Sequence, residues 1–244
     1  NEVPYYVTGI ESCAFEFSYQ MTSIDLPKSI VYIGDNAFYS CSNLTGITIP
    51  NGVKQIEMMT FVGCTQLAHV KIPNSVTTIG WHAFAYCTGL TSIEIPNSVT
   101  SIENIAFESC TSLTSIEIPE SVIDLGSGIF NGCNNLTTMK VAKDNKKYNS
   151  GNGCNAIIEA HTNTLVAGCR TTIIPNTVSE IGEKAFYGHD RLTCINIPKS
   201  VKKINYNAFN KSGLTSVKIP ESVESIGKLA FSRCKGLTSI EIPN

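Results

Sequence analysis

The chain has 244 residues, 42% of them hydrophobic and only 16% charged, with a formal net charge of -2 at neutral pH. That balance offers no general attraction for phosphate backbones, so no nucleic-acid partner is expected. No run of 18 apolar residues exists to cross a bilayer as a helix. The chain opens at Asn1 with neither a methionine nor a hydrophobic leader, as expected of a processed or a designed protein.

The first stretch, residues 4–141, repeats itself. Prolines stand at 4, 27, 50, 73, 96 and 119, a spacing of 23, and such self-similarity is the mark of a stacked coil. Apolar residues hold columns in the same register: Val76, Ile79, Ala83, Phe84, Cys87, Leu90, Ile93 and Ile95 recur one unit later as Val99, Ile102, Ala106, Phe107, Cys110, Leu113, Ile116 and Ile118. These are the predicted inward positions. Segments such as LTSIEIP alternate apolar and polar residues, which predicts a short strand with one buried face, and the proline ends it. One unit cannot offset the conformational entropy of ordering its own residues, so its core must be completed by its neighbours.

Residues 142–174 form a longer unit of 33 residues in which Ala142 takes the proline column. Within it, CNAIIEAHTNTLVAGC reads as two short strands around a polar turn at 160–163, predicted to protrude as a hairpin. Pairing Glu159 with Thr164 and Ile158 with Leu165 carries the register out to Cys154 facing Cys169. That makes the two a candidate disulfide, with buried free thiols as the alternative. Regular units resume over 175–243, with prolines at 175, 198, 220 and 243. The chain stops directly after a strand, an open edge that further repeats or a cap would be expected to cover. The whole of 1–244 is therefore expected to be one domain.

The pattern I-P-x-S-V-x-x-I-G-x-x-A-F-x-x-C-x-x-L-T-x-I resembles the BspA-like leucine-rich repeats, and the resemblance covers residues 4 to 243. It implies an α/β-type solenoid, mostly strand, coiled right-handedly in about ten units. It departs from commoner leucine-rich repeats in carrying serines such as Ser75 and Ser98 where an Asn ladder is usual. A hydroxyl ladder is expected there, with a less helical convex side. The resemblance also implies a secreted or cell-surface location and a non-catalytic, adhesion-type role. Its partner would be a protein, with host matrix or cell-surface proteins the suspected class.

The residues add candidates for contact. Side chains between the two strand isoleucines should line a polar concave face, so His69, Lys71, Glu94, Glu117 and Lys140 are the first candidates. Lys71 with Glu94 and Glu117 with Lys140 are expected cross-strand ion pairs. Met58 and Trp81 share one column and suggest a second, apolar patch, with local packing as the bland alternative. Carbohydrate recognition would use Trp81, Tyr32, Tyr39 and Tyr86 as stacking groups. A structural spacer between an anchor and another domain is a further reading.

Chemistry finds little support in the pattern. His69, His82, His161 and His189 occupy four different columns, and no nucleophile-base pair, phosphate loop or HExxH motif occurs. Neither catalytic residues nor a cofactor are expected. Cys41, Cys64, Cys87, Cys110, Cys133 and Cys234 share one column and should act as small core hydrophobes, since a linear stack does not converge on a metal. Cys194 is expected to face solvent.

Overall fold

In a computed structural model of the chain, residues 6–243 are described; Pro4 lies outside them. Every coil begins with the same turn. The carbonyls of Pro27, Pro50, Pro73, Pro96, Pro119, Pro175, Pro198 and Pro220 each accept the amide three residues on, at 3.0–3.3 Å. Proline holds the first position of that turn and, having no N–H to donate, closes the strand before it. Ala142 makes the same bond to Asn145, so the column tolerates its loss.

Two ladders of parallel strands then run along the molecule. The first pairs Gly46–Thr48 with His69–Lys71, Ser115–Ile118 with Thr138–Val141, and Ser216–Lys218 with Ser239–Glu241. The second runs from Gln55–Ile56 through Thr78–Ile79 and Ser101–Ile102 to Asp124–Leu125. It resumes over Glu180–Ile181, Lys203–Ile204 and Ser225–Ile226. The isoleucines are buried, as the alternation requires, except in the last coil, where Ile226 and Ile240 are exposed.

Between the ladders each coil turns a corner, and here the expected α/β character is corrected. No helix occurs among the described residues. The corner is two tight turns, each holding a residue at positive φ, such as His82 (55°) and Tyr86 (61°), or Ile105 (52°) and Ser109 (56°). Alternate amides leave the coil: Phe84 N–H donates to the Ala106 carbonyl and Tyr86 N–H to that of Glu108. A helix would need those amides for its own carbonyls four residues back.

The core is stacked as regularly as the sequence. Phenylalanine rings lie one on another from Phe15 to Phe130, with centroids 5.3–5.7 Å apart and planes within 14°. Beside them the thiols of Cys41, Cys64, Cys87, Cys110 and Cys133 each donate to the phenylalanine carbonyl of the preceding coil at 3.1–3.2 Å. The serine hydroxyls form the expected ladder. Ser29, Ser75, Ser98, Ser121 and Ser222 donate to valine carbonyls one coil back at 2.6–2.9 Å.

Residues 142–174 hold three antiparallel strands, Tyr148–Asn149, Ala156–Glu159 and Thr164–Gly168. They do not protrude. Ile157, Ala167 and Cys169 face the N-terminal core, while Ala156, Ile158 and Leu165 face the C-terminal one, so the hairpin is a wall between the two. Near its turn Glu159 pairs with Thr164 and Ile158 with Leu165, but a bulge between Ile157 and Ile158 then shifts the register, so that Ala156 meets Gly168. The shift removes the opposition of Cys154 and Cys169. Both are free, buried thiols, donating instead to the carbonyls of Ser150 and Asn155, so the structure has the alternative of buried thiols in place of the candidate disulfide.

The wall also deletes a corner. Leu165 joins the second ladder beside Ile181, and only four residues later Cys169 is already back in the leucine column. Gly168 stands in for the missing phenylalanine. Its N–H donates to the Ala185 carbonyl, and a Cβ there would collide with the Phe186 ring. The flanking corners close directly on each other, with Gly132 N–H donating to the Tyr187 carbonyl at 3.0 Å. Strands are interposed at the second ladder and none at the corner, so the solenoid tilts toward the corner.

Candidate binding surfaces

The first ladder presents its outward residues as the sequence placed them: His69, Lys71, Glu94, Glu117 and Lys140 are all exposed. Glu94, Glu117 and Lys140 line one shallow recess of about 570 Å³, and Lys71 with Glu94 lines the next. The expected ion pairs do not close. Lys140 lies opposite Glu117 in the strand register, yet among the described residues only Lys218 and Glu241 of this column pair, at 2.8 Å. Exposed partners gain little from contact in water, so such pairs can close or stay open at little cost either way. The threonines beside them are engaged. Thr45, Thr137, Thr215 and Thr238 hydroxyls each donate to a threonine carbonyl one coil back.

One residue of this face was missed. Ile173, two before Pro175, takes the column of Glu94 and Lys140 and is 73% exposed. The signal for it is its place two residues before Pro175, the same offset that Glu94 has from Pro96. Ile173 borders a recess with Cys194, which is exposed as expected.

The Met58 and Trp81 patch is largely packed. Met58 is 39% exposed, but Trp81 is half-buried and its ring lies 4.1 Å from that of His82. Backbone bonds tie the column together, Met58 N–H to Asp35 Oδ1 and Trp81 N–H to Glu103 Oε2.

The histidines remain apart, with one contact the column analysis did not reveal. His82 Nε2 lies 3.9 Å from Glu108 Oε2. Burial lowers the imidazole pKa, which sets a neutral ring beside a carboxyl group. His189 replaces a column cysteine, is fully enclosed, and has its pKa pushed down by burial to about 4. Among the described residues no three histidine, cysteine, aspartate or glutamate side chains gather as a metal site requires. Burial raises the core thiols, Cys133 to about 12 and Cys87 and Cys110 well above the ordinary value, so these are packing groups without nucleophilic character.

A coil of two ladders and a double-turn corner, copied end to end around a phenylalanine stack, defines a repeat scaffold of the leucine-rich class. The BspA-type leucine-rich repeat model matches in six copies over residues 2–107, 77–167 and 165–244. The chain belongs to that family. Among solved structures it is similar to a leucine-rich repeat protein of Eubacterium ventriosum, at 24% identity and a TM-score of 0.76, covering 91% of this chain and 60% of that one. It thus spans less than two thirds of that protein's length. A leucine-rich cell surface protein of Faecalibacterium prausnitzii shares 26% identity with a TM-score of 0.66, over 98% of this chain and 84% of its own. The pneumococcal vaccine antigen PcpA shares the fold at 21% identity, with a TM-score of 0.74 over 96% of this chain and 67% of its own. No curated protein matches the chain significantly.

Proposed function

We propose that the chain is a non-catalytic, adhesion-type binding scaffold displayed at a bacterial surface, and that it engages a protein partner through the first-ladder face. The supporting observation is the run of exposed, unpaired charges around the adjoining recesses at Lys71, Glu94, Glu117 and Lys140. The strands that carry Lys71, Glu117 and Lys140 are paired with a neighbouring coil, so most of the backbone beneath the face is already ordered and a partner would have to fix only the side chains. Surface display is supported by family membership and by the Faecalibacterium prausnitzii relative, itself a cell surface protein.

The test is binding to immobilised collagen, laminin and fibronectin beside a glycan array. A Lys71→Glu, Glu94→Lys, Lys140→Glu variant should keep its melting temperature and lose at least tenfold in affinity for whichever matrix protein the native chain retains. Unchanged affinity, or retention on the glycan array alone, would refute the reading.

A further inference from the structure

The inner side of the bend is a second, separate surface, built from the corners rather than the ladders. At the second turn of successive corners stand Tyr86, Ser109, Gly132, Gly188, Lys211 and Arg233, all at positive φ. Gly132 and Gly188 meet where the corner is missing: a Cβ on Gly188 would lie 3.2 Å from Gly132 N. Two bare residues where the flanking corners meet leave a trough of about 1070 Å³, with Tyr86 and Glu108 toward one end, Lys211, Arg233 and Lys235 toward the other, and Asp190 also on its lining. Its shape is pinned across the bend by Asp190 N–H donating to Asn134 Oδ1 at 3.1 Å, and by the Arg191 guanidinium donating to Asn135 Oδ1.

The chemistry of the trough is specific. Tyr187 lies on its floor with the Lys211 ammonium 5.0 Å from the ring centroid. Asn131, only 4% exposed, borders it with a buried Oδ1 that has no hydrogen-bond partner. Burial raises the Tyr86 phenol, Glu108 adds to this and Lys211 opposes it, so the groups of the two ends act on each other across the trough. Cations outnumber carboxylates here although the chain as a whole is acidic.

The main chain narrows the kind of occupant. Tyr86, Ser109, Gly132, Gly188 and Lys211 all spend their N–H on the next coil, so an extended peptide would find no free ladder edge to join. The spacing points the same way. Coils stacked by such bonds repeat at about 4.8 Å, whereas peptide side chains on one face recur about every 6.6 Å. The coil repeat is close to the length of one sugar ring in an extended polymer. Sugar faces stack on tyrosine rings, and carboxylates are accepted by Lys and Arg.

We infer that this trough binds an acidic polysaccharide, one bearing a uronic acid on successive sugars, with a sugar ring over Tyr86 and the carboxylates at Lys211, which Tyr187 holds from below, and at Arg233. The site is independent of the first-ladder face.

Isothermal titration with oligogalacturonate tests it, against neutral galacto-oligosaccharide and a poly-glutamate peptide of similar length. Oligogalacturonate should bind, with affinity falling as salt rises. Lys211→Asn and Arg233→Asn, which remove charge while keeping a residue that tolerates positive φ, should each weaken binding about tenfold. Lys71→Glu on the other face should leave it unchanged. No binding of oligogalacturonate, equal binding of poly-glutamate or neutral sugar, or indifference to both trough substitutions overturns the assignment, provided the variants keep the native melting temperature.

Discussion

The column that carries a thiol in most coils carries an imidazole at His189, between Cys133 of the coil before it in the stack and Ser212 of the coil after. No proton-accepting partner waits for a charged ring there; Nδ1 is buried without a hydrogen bond. In the unfolded chain the same side chain takes up a proton near pH 6.5, whereas the folded site resists until about 4. Stability contributed by the neutral ring is therefore complete above pH 6.5 and is lost as the pH falls toward 4, by about 2 to 3 kcal/mol. Denaturant unfolding of the native chain and of His189→Cys at pH 7 and pH 4.5 should show that extra loss only in the native chain. Parallel losses in both would rule out His189 as its source. The neighbouring thiols make a second prediction at this scale. Cys13 and Cys194 are exposed and Cys64, Cys87, Cys110 and Cys133 are enclosed, so brief alkylation of the native protein should modify the first two and leave the other four intact until it unfolds. Mass spectrometry after proteolysis reads the outcome, and early labelling of Cys87 would contradict the stacked core.

A single coil is strand, corner, strand, and its parts differ in what a substitution does. Phe84 is enclosed between Phe61 and Phe107, with ring centroids 5.3 and 5.4 Å away. Phe84→Ala should cost about 3 to 5 kcal/mol, because two rings lose their partner and the stack cannot close over the gap. Glu94→Ala on the outward face should change stability by less than about 0.5 kcal/mol. Comparable shifts in melting temperature for the two would contradict the inward and outward assignment. The strands and their facing were legible because alternation and the 23-residue register both spell them out. The corner was not, since its positive-φ sites are filled by Ile105, His82 and Leu229 as readily as by Gly128. These residue types give no turn signal; it is the bonds to adjacent coils that hold them there.

Along the whole molecule the irregular unit decides the shape. Its turn and the two nearest pairs can be read from alternating residues, but the bulge at Ile157 cannot, and neither can the use of Gly168 in place of a phenylalanine. The glycine is dictated by contacts with Ala185 and Phe186 in the next coil, and the bulge sends Ile157 to one core and Ile158 to the other. The trough was hidden for the same reason: its residues are ordinary corner residues until the omitted corner draws them around Gly132 and Gly188. Replacing residues 142–174 by a regular 23-residue unit should straighten the axis, and small-angle scattering should report a longer maximum dimension despite the shorter chain. A maximum dimension that shrinks in proportion to the deletion would mean that the wall does not set the tilt. Because the wall faces both cores, we propose that the two regular stretches behave as one cooperative domain.

The corner amides have a consequence for how such a chain can diversify. Where the main chain alone joins one turn to the next, the outward groups are free to be exchanged without loosening what holds the turns together. Tyrosine, serine, lysine and arginine already occupy equivalent sites along this edge. New recognition chemistry can therefore be written there residue by residue while the body beneath stays the same.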